Sequence, residues 1–377
     1  MKKLQYGKQF IDDEDIKAVI DVLKSDFLTC GPKITELEET LCELTGAKYC
    51  VAVSNGTAAL HLACLALNVK EGDEVITSPV TFAASSNSVL YCGGIPVFAD
   101  IDPGTWNISP KCIKEKITNK TKAIIAVDFT GQTAELDEIK EICKENNLTL
   151  IEDAAHSIGS KYKGRAVGGI ADMTTFSFHP VKTVTGGEGG AVMTNDESLY
   201  KYIKLFRTHG ITRETDSCDP WYYEQVGLGY NYRITDFQAA LIQSQLNKLE
   251  VFARRRKQIV NMYNEAFKDM PQLTLQREIP ESDSVKHLYI LRFNLKQIQR
   301  SRLQIYNELL ERGIVCNVHY IPVYYHPYYQ KLGYQKGICP NAEALYEDML
   351  TIPLYYSLTD EDVAYIIQSV NSVIKGK

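Results

Sequence analysis

Between about Tyr49 and Asn195, short apolar runs alternate with stretches whose apolar residues recur every three or four positions. The short runs, YCVAVS, DEVITS, IPVFAD, AIIAVD, LTLIED and TTFSF, predict β-strands. Several are apolar throughout, as strands are when helices cover both faces of a sheet. Between them, TAALHLACLAL and ELDEIKEICKEN have helical spacing. The alternation predicts an α/β fold with a mainly parallel sheet flanked by helices.

From Ile234 the pattern changes. ITDFQAALIQSQLNKLEVFARRRKQIVNMYNEAF runs without proline or glycine and predicts one long helix bridging to a second unit. That unit reads as mixed: HLYILRFNL as a strand, SRLQIYNELLERG as a helix ending at Gly313, and IVCNVHYIPV as another strand. The expected division is a large domain over residues 1–245, N-terminal segment included, and a small α+β domain over 246–377. RETDSCDPWYYEQVG is the expected excursion from regular structure.

The 377 residues, 45% of them hydrophobic, are enough for a large core, and the net charge of −6 offers no general cationic surface. Nucleic acid and anionic membrane are therefore not expected as partners. No run reaches a membrane-spanning length, and the expected location is cytoplasmic. Cys30, Cys42, Cys50, Cys64, Cys92, Cys112, Cys143, Cys218, Cys316 and Cys339 form no C-x-x-C pair, which predicts reduced thiols and neither a metal cluster nor a disulfide scaffold.

Ligands of open α/β sheets sit at the carboxyl ends of the strands. Four such ends here are chemically unusual. Ser54, Asn55, Gly56 and Thr57 follow YCVAV and open a helix whose free N–H groups suit a phosphate. Phe82 follows DEVIT in SPVTF, Asp153 and His156 close LTLIE, and Ser177, His179 and Lys182 follow TTF. Each has an ordinary reading when taken alone: a turn and N-cap, a core ring, a helix cap, a structural histidine, a solvated lysine. One cofactor needs all of them together. Pyridoxal 5'-phosphate requires an amine for a Schiff base, a carboxylate for its pyridine nitrogen, an anion site and a flat stacking partner. Lys182, Asp153, the Gly56–Thr57 helix start with Ser177, and Phe82 supply those parts in turn. A dinucleotide site would want G-x-G-x-x-G, and a Walker lysine is absent.

These residues lie in long motifs: FLTCGP, SNGTAALHLA, SPVTFAASSNSV, EDAAHSIGS, FSFHPVKTVTGGEGGAV, RTHGI, GLGYNYRITDFQAAL and VHYIPVYYHPYY. In that order the chain resembles the fold-type I pyridoxal phosphate enzymes, specifically the DegT/DnrJ/StrS nucleotide-sugar aminotransferases. FSFHPVK, DPWYYEQ with GYNYR, and VHYIPVY are most similar to the pseudaminic acid branch of that family. The resemblance implies a large domain around a mainly parallel seven-stranded sheet. It makes Lys182 the Schiff-base lysine and proton shuttle and Asp153 the partner of the pyridinium. Phe82, Gly56, Thr57, Ser177 and His156 would complete the cofactor site, with Asn231 reaching in from the second subunit of a homodimer. Tyr6, Asp26, Phe27, Leu28, Thr29, Asn55, His209, Val318, His319, Tyr320 and Ile321 would meet the nucleotide sugar, although His209 and His319 have structural readings as well. The implied substrates are L-glutamate as amino donor and a UDP-4-keto-6-deoxy-N-acetylhexosamine.

Three rival readings compete, and Lys182 and the intact constellation argue against the first two. A sugar dehydratase of the same fold would carry histidine in place of Lys182. A non-catalytic sensor or scaffold would have lost part of the constellation. The nearest rival keeps the transaminase and changes the sugar, to one of perosamine, bacillosamine or dTDP-sugar type. Arg207 and Arg233 are candidates for gripping the glutamate carboxylates.

Overall fold

Seven strands join one sheet in a computed structural model that describes residues 3–215 and 219–376. They are β1 (Tyr49–Val53), β2 (Glu74–Thr77), β3 (Ile95–Phe98), β4 (Thr121–Val127), β5 (Thr149–Asp153), β6 (Met173–Ser177) and β7 (Gly190–Thr194). Their order is β1-β7-β6-β5-β4-β2-β3, and only β7 runs antiparallel to its neighbours. This is the expected α/β architecture with a mainly parallel sheet, in which β7 is the strand the sequence pattern did not single out. Its Gly-Ala start follows the glycine cluster and reads as more of the same turn.

Successive residues of each strand face opposite layers. Val51 and Val53 of β1 pack with Leu62 and Ala63 of α3 (Gly56–Ala66), whereas Cys50 and Ala52 pack with Leu37 and Leu41 of α2 (Pro32–Thr45). Helices α1 (Asp13–Leu23), α4 (Ala84–Tyr91), α5 (Leu136–Asn146) and α6 (Glu197–Phe206) complete the flanks.

The predicted long helix is two: α7 (Asp236–Leu246) and α8 (Leu249–Phe267). Asn247 and Lys248 form a turn at the break, and the Lys248 ammonium is held by Asp12 and Asp15, each at 2.7 Å. A tertiary ion pair thus overrides local helical spacing. Beyond α8, the strands β8 (Leu273–Thr274), β9 (Tyr289–Phe293) and β10 (Met349–Ile352) form a small antiparallel sheet packed with α9 (Arg302–Glu311) and α10 (Asp360–Lys375). Leu4 belongs to that second core and bridges Ile314.

The strand expected over 314–323 does not form. That stretch makes only single bridges, Leu4 to Ile314 and Asn317 to Thr351, and leaves the ladder before Pro322. In the loop around Trp221, a two-residue ribbon pairs Ile211 and Thr212 with Gln225 and Glu224. No described helix is long and apolar enough to cross a membrane. The cysteines among the described residues are unpaired, and Cys218 lies outside them.

Candidate active site

Asp153 ends β5 and Ser177 ends the adjacent parallel strand β6, so both emerge at the same sheet edge. The Asp153 carboxylate is 5% exposed and accepts bonds from Ser85 Oγ at 2.6 Å and from the Ala155 N–H at 3.2 Å. Burial pushes its acid strength down, raising the pKa above the ordinary carboxylate value, while Ser85, Ala155 and the Lys182 cation oppose that shift. Ser85 lies in the first turn of α4 and is the carboxylate holder that sequence reasoning missed. Its signal was the run of small hydroxyl residues after SPVTF.

Lys182 sits in the connection between β6 and β7. That connection is closed by Phe178 N–H to Gly189 O at 2.9 Å and Gly186 N–H to Phe178 O at 2.9 Å. Burial pushes the lysine amine down to about 8, against the pull of the Asp153 carboxylate. An amine near 8 is partly deprotonated at neutral pH, as a nucleophile or proton carrier requires.

The expected anion cradle is tightly built. Asn55 is the N-cap of α3 and accepts from the Ala58 N–H at 2.8 Å, so its side chain serves the helix. A Cβ on Gly56 would lie 2.9 Å from Ser177 Cβ, and one on Gly190 would lie 2.5 Å from the Asn55 carbonyl. Glycine at both places lets the β6 and β7 ends press against the helix start.

His156 donates to or accepts from Tyr320 Oη through Nε2 at 3.1 Å, while its buried Nδ1 has no partner. Burial, Lys182 and His319 hold its imidazole well below the usual range, so it is neutral. His319 is likewise buried, pushed down to about 3, with Nδ1 2.8 Å from Thr351 Oγ1 and its ring 4.9 Å from that of Tyr6. Phe82 is 65% exposed, which removes the core reading of that ring, and it lies 6.4 Å from Tyr320. Both rings border a groove of about 560 Å³ that Val318, Ile321, Tyr91 and Tyr328 also line.

Other expected residues lie apart from this cluster within one chain. Asp26, Phe27, Leu28 and Thr29 are exposed, tied to the start of α7 by the Asp236 N–H to Leu28 O bond at 3.0 Å and the Thr29–Thr235 bridge. Asn231 is exposed and bridges Thr208, next to Tyr232, whose carbonyl accepts the Ser54 N–H at 2.8 Å. His209 is exposed, and its N–H bonds Tyr230 O at 2.8 Å. Arg207 is committed elsewhere: its guanidinium binds Glu38 at 2.7 Å and Ala52 O at 2.9 Å. Arg233 remains as the partly buried candidate for a carboxylate.

The geometry fits pyridoxal phosphate on grounds of its own. Two buried polar atoms are without partners, His156 Nδ1 on the segment after Asp153 and Thr183 Oγ1 next to Lys182 in the chain, and the glycine-lined helix start stands beside Ser177. The DegT/DnrJ/EryC1/StrS aminotransferase family profile matches residues 9–371. The chain belongs to this family. DegT/DnrJ/EryC1/StrS enzymes use pyridoxal phosphate, and the chain is a pyridoxal-phosphate-dependent nucleotide-sugar transaminase. It is 38% identical over 376 residues to the UDP-4-amino-4,6-dideoxy-N-acetyl-beta-L-altrosamine transaminase of Campylobacter jejuni, covering 99% of this chain and 98% of the relative. It is 37% identical over 378 residues to the GDP-perosamine synthase of Escherichia coli O157:H7, covering all of both chains. Among solved family structures, Helicobacter pylori PseC, an aminotransferase of pseudoaminic acid biosynthesis, superposes with a TM-score of 0.93 at 34% identity and full coverage of both chains.

Proposed function

We propose that the chain moves the amino group of L-glutamate to C4 of a UDP-2-acetamido-2,6-dideoxy-4-keto-hexose, giving UDP-4-amino-4,6-dideoxy-N-acetyl-β-L-altrosamine for pseudaminic acid biosynthesis. It works in the cytoplasm as a homodimer. The observation that carries the reading is the Lys182 amine, lowered to about 8, set against the buried Asp153 carboxylate at neighbouring strand ends. The Campylobacter and Helicobacter relatives support the sugar, and the aromatic groove of about 560 Å³ beside Phe82 and Tyr320 is of a size for a nucleotide sugar.

Bound pyridoxal phosphate supplies an electron sink for the carbon that loses its proton. Lys182 Nζ would hold the cofactor between turnovers, and as a proton carrier it would take the proton from the α-carbon of glutamate and deliver one to C4 of the sugar. Asp153, kept in place by Ser85, would accept the hydrogen bond of a protonated ring nitrogen. The N–H groups of Gly56 and Thr57 and the hydroxyl of Ser177 would hold the phosphate, Phe82 would cover the ring, and Asn231 of a second subunit would close the site. Water supplies the keto oxygen of 2-oxoglutarate in the first half and is returned when the sugar's keto oxygen leaves in the second, so the net change is the exchange of an amino group for a keto oxygen.

The GDP-perosamine synthase relative, at 37% identity, favours a second reading in which a GDP-4-keto-6-deoxy sugar is the acceptor. Absorbance spectra separate the two. Glutamate should bleach the visible band of lysine-bound cofactor, and the UDP-4-keto sugar should restore it. Restoration by GDP-4-keto-6-deoxymannose alone would overturn the UDP reading, and absence of a Lys182-dependent band would overturn both.

A further inference from the structure

Behind His156 lies a second buried imidazole, His287, with ring centroids 4.5 Å apart and planes 37° from one another. Its Nδ1, like that of His156, has no hydrogen-bond partner. The backbone around the pair is closely determined. The His287 N–H donates to Thr130 O at 2.8 Å, and its carbonyl accepts from Arg256 Nη1 at 3.2 Å. Gly131, at φ +95°, separates the two histidine segments: a Cβ there would lie 2.9 Å from His156 O and 3.0 Å from His287 N. Ser160 Oγ ties the same crossing together, donating to Gly131 O at 2.9 Å and accepting the Val285 N–H at 3.0 Å. Arg256 also donates to Leu354 O at 3.0 Å, and the Leu354 N–H binds Tyr6 O at 3.0 Å. No described carboxylate forms an ion pair with Arg256.

We propose that His287 is a positioning residue: its ring backs the His156 imidazole, fixes its plane, and keeps water from reaching it. His156 is then gripped by Tyr320 at Nε2 and by His287 on its face, leaving Nδ1 as its one free polar atom. The charged and titratable groups around the pair are Lys182, His319, Tyr320, Arg256 and, on the same turn as His156, Asp153. The cations among them discourage a proton on either ring, and burial acts in the same direction. A loose His156 would admit water, take a proton near neutral pH and repel the lysine it adjoins. This inference rests on the cofactor site described above only where His156 meets the cofactor; the backing of one ring by the other is a property of the protein itself.

The test therefore reads the protein first. Imidazole NMR of the cofactor-free protein should show His156 neutral at neutral pH, titrating well below the usual histidine range. In His287→Asn, His156 should titrate with a midpoint shifted toward the ordinary 6.5, and affinity for pyridoxal phosphate, measured by equilibrium dialysis, should fall about tenfold. His287→Phe keeps a flat buried ring and should retain both the neutral His156 and an affinity within about twofold of the unchanged protein. An unshifted His156 titration in His287→Asn would overturn the proposal. If that variant does not fold, a His287→Phe protein that folds yet releases His156 to titrate would overturn it as well. Failure of the unchanged protein to bind pyridoxal phosphate would count against the cofactor site and leave the His156 titrations as the deciding result.

Discussion

A lysine amine attacks a carbonyl only after losing its proton, so the environment of Lys182 sets the pH at which this protein captures its cofactor. The rate of capture by the cofactor-free protein should rise with pH and reach half its maximum near 8. Asp153 pulls that value upward, so Asp153→Asn should move the midpoint lower, a shift stopped-flow absorbance can follow. Lys182→Arg keeps a cation and loses the nucleophile; it should fold normally and lose about a thousandfold or more in turnover, measured by single-turnover assay. These two residues were nominated because strand ends and residue type mark them locally. The cap bond of Asn55 is equally local, whereas the pairing of Arg207 with Glu38, 169 positions away, is one that no local pattern announces. Phe82 was misjudged in its ordinary reading for a related reason, since a ring at a strand end faces either core or cleft and only the packed molecule decides.

At the scale of elements, the glycines at the helix start explain more than the phosphate motif does. Gly190→Ala would drive a methyl group to 2.5 Å from the Asn55 carbonyl, and backbone cannot rotate away as a side chain can. The substitution should destabilise the protein by about 2 kcal/mol in urea unfolding and weaken cofactor binding in parallel. The break between α7 and α8 carries a second prediction. Asp15 is fully buried and receives Ser244 Oγ at 2.6 Å, Gln245 Nε2 at 2.6 Å and Lys248 Nζ at 2.7 Å. Asp15→Ala leaves Ser244 Oγ without its acceptor, while Lys248 keeps Asp12 and Gln245 Nε2 keeps Phe10 O, and should cost about 2 kcal/mol by the same measurement. Helical spacing concealed this break because Asn247 and Lys248 are acceptable in a helix, and the partner that stops it lies at the other end of the sequence. The alternation in 314–323 misled in the opposite sense, since a strand needs a neighbour and this stretch finds only Leu4 and Thr351.

At the scale of the whole molecule, one chain leaves large apolar groups in water: Trp221 is 71% and Leu228 80% exposed, on the same loop system as Asn231. Such surface is expected to be covered by a second copy. If Asn231 acts across that contact, Lys182→Ala and Asn231→Ala proteins, each inactive, should regain activity when unfolded, mixed and refolded together. Statistical pairing would restore roughly a quarter of the sites; no recovery would place Asn231 in its own chain's site. The sheet and its helices were readable from alternation alone, whereas a composite site is expected only through likeness to a family, because a contact between chains leaves no periodicity in one sequence.

Lys182 is carried on the tip of a hairpin whose two stalks, at Ser177 and Gly190, both bear on the helix start at Gly56. Reactive amine and anion cradle therefore share one foundation, while Tyr6 and the stretch from Val318 to Ile321 belong to segments anchored in the other core. The groove beside Phe82 is thus walled from two foundations, joined where Tyr320 Oη meets His156 Nε2 at 3.1 Å, whereas the lysine and the helix start stand on one.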